Sequence, residues 1–253
     1  MLNGAIRNRL LRTLSETDLV LVQPLLRKID LPRGKILDQP GQNIENIYFI
    51  ENGLCSVVVV GSNGQKTEAG HIGNDGMTGS GLAAEVAWST NQTIIQISGH
   101  GWEMSSVDFL TCLAECPSLR TAALRFGQAL HIQVSHTVLA TARYNIHQRL
   151  ARWLLMCHDR VEGDDLDLTH EFLAMMLTVR RSGVTNELHV LEGMHLIRST
   201  RGNVLVLDRA GLIEVASGSY GIPEREYGRL FPSLGSEGST ISSTTTMPTS
   251  ADR

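Results

Sequence analysis

The segment from Leu168 to Asp208 constrains this chain more than any other. Thr169 can cap a helix whose positive end suits Glu171. Phe172, Leu173, Met176 and Leu177 give that helix an apolar side. Thr178 is placed to cap a second helix, in which Val184, Leu188 and Leu191 recur at spacings of four and three and form a stripe to be buried. Two short β-type runs then flank Arg201-Gly202-Asn203, which reads as a hairpin tip. Helix, tight turn, helix and hairpin in this order predict a winged helix-turn-helix.

This arrangement has a chemical consequence. With Val184, Leu188 and Leu191 inward, Ser182, Thr185, Asn186 and His189 project outward, and Arg180 and Arg181 leave from the first turn. A helix presented this way can enter the DNA major groove, where arginine bonds guanine bidentately and Ser, Thr and Asn serve bases or phosphates. Arg201 at the wing tip is suited to phosphate, which fixes position without reading sequence. The candidate DNA contacts are therefore Thr169, Thr178, Arg180, Arg181, Ser182, Thr185, Asn186, His189 and Arg201. The formal net charge of the whole chain is -4, which disfavours phosphate binding by the bulk of the surface. From Thr178 to Arg201, however, Arg180, Arg181, Arg198 and Arg201 outnumber Glu187 and Glu192, so the basic face is local. Glu162, Asp164, Asp165 and Asp167 cluster just upstream and read as a solvated linker turn. The alternative is a packed helical pair whose arginines are surface charge.

Upstream, Ser15 starts a helix with Asp18 at the capping-box position, and apolar spacing continues it to Lys28. Short β-type runs follow at Lys35–Leu37, Ile47–Ile50, Ser56–Val60, Thr67–Ile72 and Thr93–Ile97, punctuated by glycines that include Gly53. Such short, regular strands predict an antiparallel sandwich or barrel. After Pro117 glycines nearly vanish. Leu119, Ala123, Phe126, Leu130, Gln133, Thr137 and Ala140 step by alternating fours and threes, a heptad seam suited to pairing with an identical helix. The alternative is a helix packed on its own domain. A break near Arg143–His147 separates it from a second helix, Gln148–His158. The Ser/Thr-rich segment from Ser233 to Arg253 is too poor in apolar residues to offset its ordering entropy and is expected to be disordered.

No apolar run approaches a membrane span, and no signal-peptide core opens the chain, so a cytoplasmic location is expected. Cys55, Cys112, Cys116 and Cys157 are scattered and read as free thiols, and no metal set or cofactor is expected. No Ser/His/Asp or HExxH grouping points to an enzyme.

Leu31-Pro-Arg-Gly34, Gly41, Ile47-Tyr-Phe-Ile-Glu-Asn-Gly53 and Gly73-Asn-Asp-Gly-Met-Thr-Gly79 follow one another in the first half. Leu173-Ala174, Val179-Arg180, Leu191-Glu192 and Leu196-Ile197 follow in the second. In this order the chain resembles the Crp/Fnr superfamily of bacterial transcription regulators over about Leu14 to Phe231. Thr178 stands where the family usually has a turn glycine. The resemblance implies an α+β chain: an N-terminal antiparallel β-roll, jelly-roll-like and similar to a cyclic-nucleotide-binding domain, at 1–116; a dimerisation helix at 117–145; and a winged helix-turn-helix at 146–232, with the tail at 233–253. It implies a sequence-specific DNA-binding regulator acting as a homodimer. A small-molecule-binding module whose helical domain contacts a protein partner is the alternative. Expected partners are double-stranded DNA with a palindromic operator, a second copy of the chain, an effector of unknown identity and, as a further candidate, RNA polymerase; no membrane is expected. The effector pocket is expected at Gly76, Met77, Thr78, Gly79, Ser80, Thr90, Asn91 and Arg125. Gly76 to Gly79 occupy the region of the family's Gly-Glu cassette, and no Lys or Arg lies between Lys66 and Arg120. A cyclic-nucleotide phosphate would lack its usual cation there.

Overall fold

The computed structural model describes residues 6–232. The Ser/Thr-rich tail expected to be disordered lies outside the described residues. Two short helices, α1 (Arg9–Arg12) and α2 (Glu16–Val22), open the fold. Ser15 caps α2 as expected, its Oγ accepting the Asp18 N–H at 3.2 Å. The helix stops at Val22 rather than Lys28, because Pro24 brings no N–H to the ladder; a 3₁₀ turn at Gln23–Leu25 leads into a strand instead.

That strand is β1 (Arg27–Leu31), followed by β2 (Ile36–Asp38), β3 (Asn46–Val60), β4 (Lys66–Ile72) and β5 (Gln92–Ser105). They form one antiparallel sheet in the order β1-β5-β3-β4, with β2 also on β5. Two expected strands are here one. Gly53 is not a turn but a kink inside β3, at φ +95°, where a Cβ would stand 2.6 Å from the Ile97 carbonyl oxygen. The β3–β5 register slips around it, as a bulge requires.

Helices α3 (Ser106–Glu115), α4 (Pro117–Arg143) and α5 (Ile146–His158) follow, with the break where the sequence placed it. The heptad seam of α4 faces the other way from the expectation. Leu119, Ala123, Phe126, Gln133 and Ala140 are buried within their own chain: the first four lie against the β-roll and Ala140 lies near α5, so this stripe does not face a second copy. Gln133 explains the polar step: its Oε1 accepts the His71 N–H at 2.5 Å and its amide donates to the His71 carbonyl at 3.3 Å.

The remainder comprises β6 (Asp165–Leu166), α6 (His170–Leu177), α7 (Arg181–Gly193), β7 (Ile197–Thr200), β8 (Asn203–Val206), α8 (Arg209–Ala216) and α9 (Ile222–Leu230). The acids before α6 are exposed, as expected of a solvated turn, but the stretch is not a free linker. Asp165 and Leu166 pair with β8, so the wing is a three-stranded sheet in the order β6-β8-β7. Glu162 pairs with Arg7, and Asp167 pairs with Arg33, which also donates to the Asp167 carbonyl at 2.8 Å.

Two cores result. The first joins Phe49, Met104, Phe109, Leu119 and Phe126 to Phe231 beyond α9. The second joins Leu54, Val58 and Ile97 of the sheet to Trp153, Leu154, Leu173, Leu188 and Leu191. The winged helix therefore shares a core with the roll. Polar groups cross the same boundary. Asp75 and Arg160, both buried, pair at 2.9 Å, and the Tyr227 hydroxyl donates to the Asp75 carbonyl at 2.7 Å. The Trp153 indole donates to buried Glu68 at 3.0 Å, and the Ser56 hydroxyl donates to the same carboxylate at 2.7 Å. No helix among the described residues is long and apolar enough to cross a membrane.

Candidate nucleic-acid interface

Helix α6 begins as its sequence demands. Thr169 Oγ1 accepts the Phe172 N–H at 3.2 Å, and Glu171 sits in the first turn. Its end corrects the reading of Thr178. That residue closes α6 in the left-handed region, at φ 54°, instead of capping α7. A β-branched residue is strained there. Part of the strain is offset by a hydrogen bond of 2.8 Å between the hydroxyls of Thr178 and Thr67 on β4. Thr178 therefore faces the roll.

Arg180 takes the N-cap of α7 and supplies no side-chain cap. The helix start, with its partial positive charge, is left for an external anion. Val184, Leu188 and Leu191 are at most 1% exposed, and each contributes about 1.5–3 kcal/mol by burial. Their anchoring points the opposite face outward, and Arg180, Arg181, Ser182, Asn186 and His189 are all exposed. An interaction of 2.9 Å between His147 Nδ1 and Glu187 ties α7 to α5. Arg181 pairs with Glu171 at 2.9 Å, both side chains more than 60% exposed. Such a pair is worth at most about 1 kcal/mol, so a phosphate can displace it.

A cleft of about 780 Å³ runs between α6, α7 and the wing, lined by Thr169, His170, Arg181, His189, Arg201 and neighbouring wing residues. Gly202, at φ +83°, lets the wing turn at its tip, where Arg201 is exposed. Thr185 is half-buried and already engaged. Its hydroxyl donates to the Arg181 carbonyl at 3.1 Å and lies within hydrogen-bond distance of His170 Nδ1, at 3.0 Å. Of the sequence-derived set, Thr169, Arg181, His189 and Arg201 share the cleft. Arg180, Ser182 and Asn186 lie exposed on the same helix, while Thr185 and Thr178 are committed elsewhere. His170, Ser199 and Thr200 also line the cleft, beyond the residues the sequence pattern marks. For His170 the signal was its place directly after the helix cap; for the other two it was their place beside the hairpin tip.

The residues expected to hold an effector divide in three. Gly79, Ser80, Thr90 and Asn91 line a cavity of about 310 Å³ in the β-roll, closed on one side by Leu130 of α4. Gly76 lies against the Phe126 ring, Met77 is fully buried, and the Thr78 hydroxyl accepts the Tyr48 N–H at 3.0 Å. These three build the wall rather than the lining. Arg125 lines a separate depression with Thr13 and Phe231, so it does not supply the missing cation. Asp38, 8% exposed, lines the cavity instead. Burial pushes its carboxyl up from the usual range, and a hydrogen bond from Thr93 partly opposes the shift.

The sequence model of the Crp-like helix-turn-helix domain matches residues 148–215. No curated protein matches in sequence. Among solved structures, a putative Crp/Fnr-family transcriptional regulator from Eubacterium rectale is 14% identical, with a TM-score of 0.62, covering 82% of this chain and 97% of its own. TTHB099, a CRP-family transcriptional regulator from Thermus thermophilus, is 18% identical, with a TM-score of 0.62 and coverages of 77% and 98%. FixK2 from Bradyrhizobium japonicum is 10% identical, with a TM-score of 0.63 and coverages of 76% and 98%. Residues 148–215 are thus a Crp-like helix-turn-helix domain, carried by a chain with the fold of the Crp/Fnr transcription regulators.

Proposed function

We propose that this protein is a sequence-specific DNA-binding transcription regulator that acts as a homodimer, with an effector held in the β-roll cavity. The observation that carries the reading is the α7 surface. Arg180 and Arg181 leave the uncapped start of a helix whose other side is locked in the core, and Arg201 stands across an open cleft. Base contacts come from Arg180, Arg181, Ser182 and Asn186, and phosphate contacts from Thr169 and Arg201. An effector acts by binding one arrangement of the two copies better than the other.

The pairing surface is the outward stripe of α4. Leu124, Gly127, His131, Val134 and Val138 alternate steps of three and four, and Leu124 and Val138 are 48% and 64% exposed. Two half-sites about one helical turn apart then follow from the twofold symmetry.

Replacing Arg180 and Arg181 together by Ala tests the assignment. Specific binding in a gel-shift titration should be lost, with an unchanged thermal midpoint because both side chains are exposed. Affinity of the unaltered protein should fall steeply with added salt. Unchanged operator affinity in the double variant would refute the reading.

A further inference from the structure

We infer that the β-roll cavity takes a small organic cation, a protonated amine with an apolar body, held at the Asp38 carboxylate. This ligand class rests on the reading of the roll as a sensor. The cavity is walled by Ile44, Val57, Ile72, Val86 and Leu130, which suits an apolar body. Its volume of about 310 Å³ sits at the small end of the ligand-site range of roughly 300–1,000 Å³. The polar lining consists of hydroxyls, the Asn91 amide and one ionisable group, Asp38.

That carboxylate is the unusual feature. It is 8% exposed and lines an open cavity. Its side-chain partner is the Thr93 hydroxyl. Among the described residues no Lys or Arg lines the cavity, and no ion pair reaches Asp38. None of the chain's lysines lines the cavity: Lys28 lies on β1, Lys35 lies over the Tyr48 ring at 5.6 Å, and Lys66 donates to Gln92 at 3.0 Å. Buried charges are normally paired, so an uncompensated carboxylate facing a cavity selects for a ligand that brings the opposite charge. The same charge repels a phosphate or carboxylate ligand. Trp88 also lines the cavity and is 53% exposed, so an aromatic face at the rim can add a cation–π contact.

The test is calorimetric titration of the full chain at neutral pH with three matched probes: phenethylamine, 2-phenylethanol and phenylacetate. Tryptamine, cadaverine and cyclic AMP complete the panel. At least one amine should bind saturably, phenylacetate and cyclic AMP should not, and Asp38→Asn should weaken the amine about tenfold or more. Trp88→Ala, at an exposed position, should weaken the same amine without lowering the thermal midpoint. Phenylacetate or cyclic AMP binding as tightly as the amines, an amine affinity indifferent to Asp38→Asn, or a panel with no Asp38-dependent amine would overturn the inference. DNA binding by the ligand-free chain, read by gel shift, tests the regulator assignment separately. Its loss on Arg180 and Arg181 replacement, beside a failed amine panel, would refute the ligand class alone.

Discussion

Asp38 shows how one residue can work against the fold that holds it. Burial raises its carboxyl above the usual carboxylate range, so the folded chain holds the proton more tightly than the unfolded chain does. The sign follows from linkage. The stability gained from holding that proton is fully present below the unfolded value and is lost as pH rises through the folded one. Two neighbouring groups feel the Asp38 charge but stay neutral over this range: burial, with a contribution from Asp38, holds the Cys55 thiol and the Tyr48 phenol well above their ordinary values. Asp38→Asn keeps a partner for Thr93 without the charge. It should therefore exceed the parent chain in thermal midpoint at pH 7, and the gap should narrow as the pH falls toward 4. A gap of the opposite sign at neutral pH would show that the carboxylate is compensated. Thr178 is the second instructive residue. Its sequence position between two helices suggested a cap, because Thr caps well. The structure places it in the left-handed turn, held by Thr67 more than a hundred residues away, and no local signal announces that partner.

At the scale of elements, the readable features were those decided locally. The caps at Ser15 and Thr169, the buried stripe of α7 and the break between α4 and α5 follow from hydrogen-bonding side chains and helical spacing within a few residues. The misread features depend on partners distant in sequence. The α4 seam has a heptad period whichever surface it meets, and here the β-roll meets it first. The acids before α6 are exposed, as a solvated turn requires, but what ties the stretch down was hidden: apart from His158, which meets Asp164, its partners Arg7 and Arg33 lie more than a hundred residues upstream. Gly53 looked like a turn because a glycine within a strand and one between strands read alike. Helix α9 and the segment after it tie the winged helix back to the roll through Tyr227, Phe231 and the buried Asp75–Arg160 pair. Breaking that pair should cost far more than breaking an exposed one, because the remaining charge stays buried. Asp75→Ala is expected to lower stability by about 3–5 kcal/mol, seen as a reduced urea midpoint. Glu171→Ala, which frees Arg181 on the surface, should change it by at most about 1 kcal/mol.

For the whole molecule, the shared second core makes the winged helix and the roll one mechanical unit within the chain. In the proposed homodimer, pairing falls to the outward stripe of α4. Leu124→Asp with Val138→Asp, both exposed in the single chain, should leave the fold intact and convert a dimer to a monomer in sedimentation analysis. A variant that remains dimeric would move the interface elsewhere. The central claim is that paired α7 helices read DNA, and selection of duplexes from a random pool by the purified chain tests it most directly. The account predicts enrichment of an inverted repeat with half-sites about one helical turn apart, abolished when Arg180 and Arg181 are both Ala. No enriched sequence, or the same enrichment from the double variant, would contradict it.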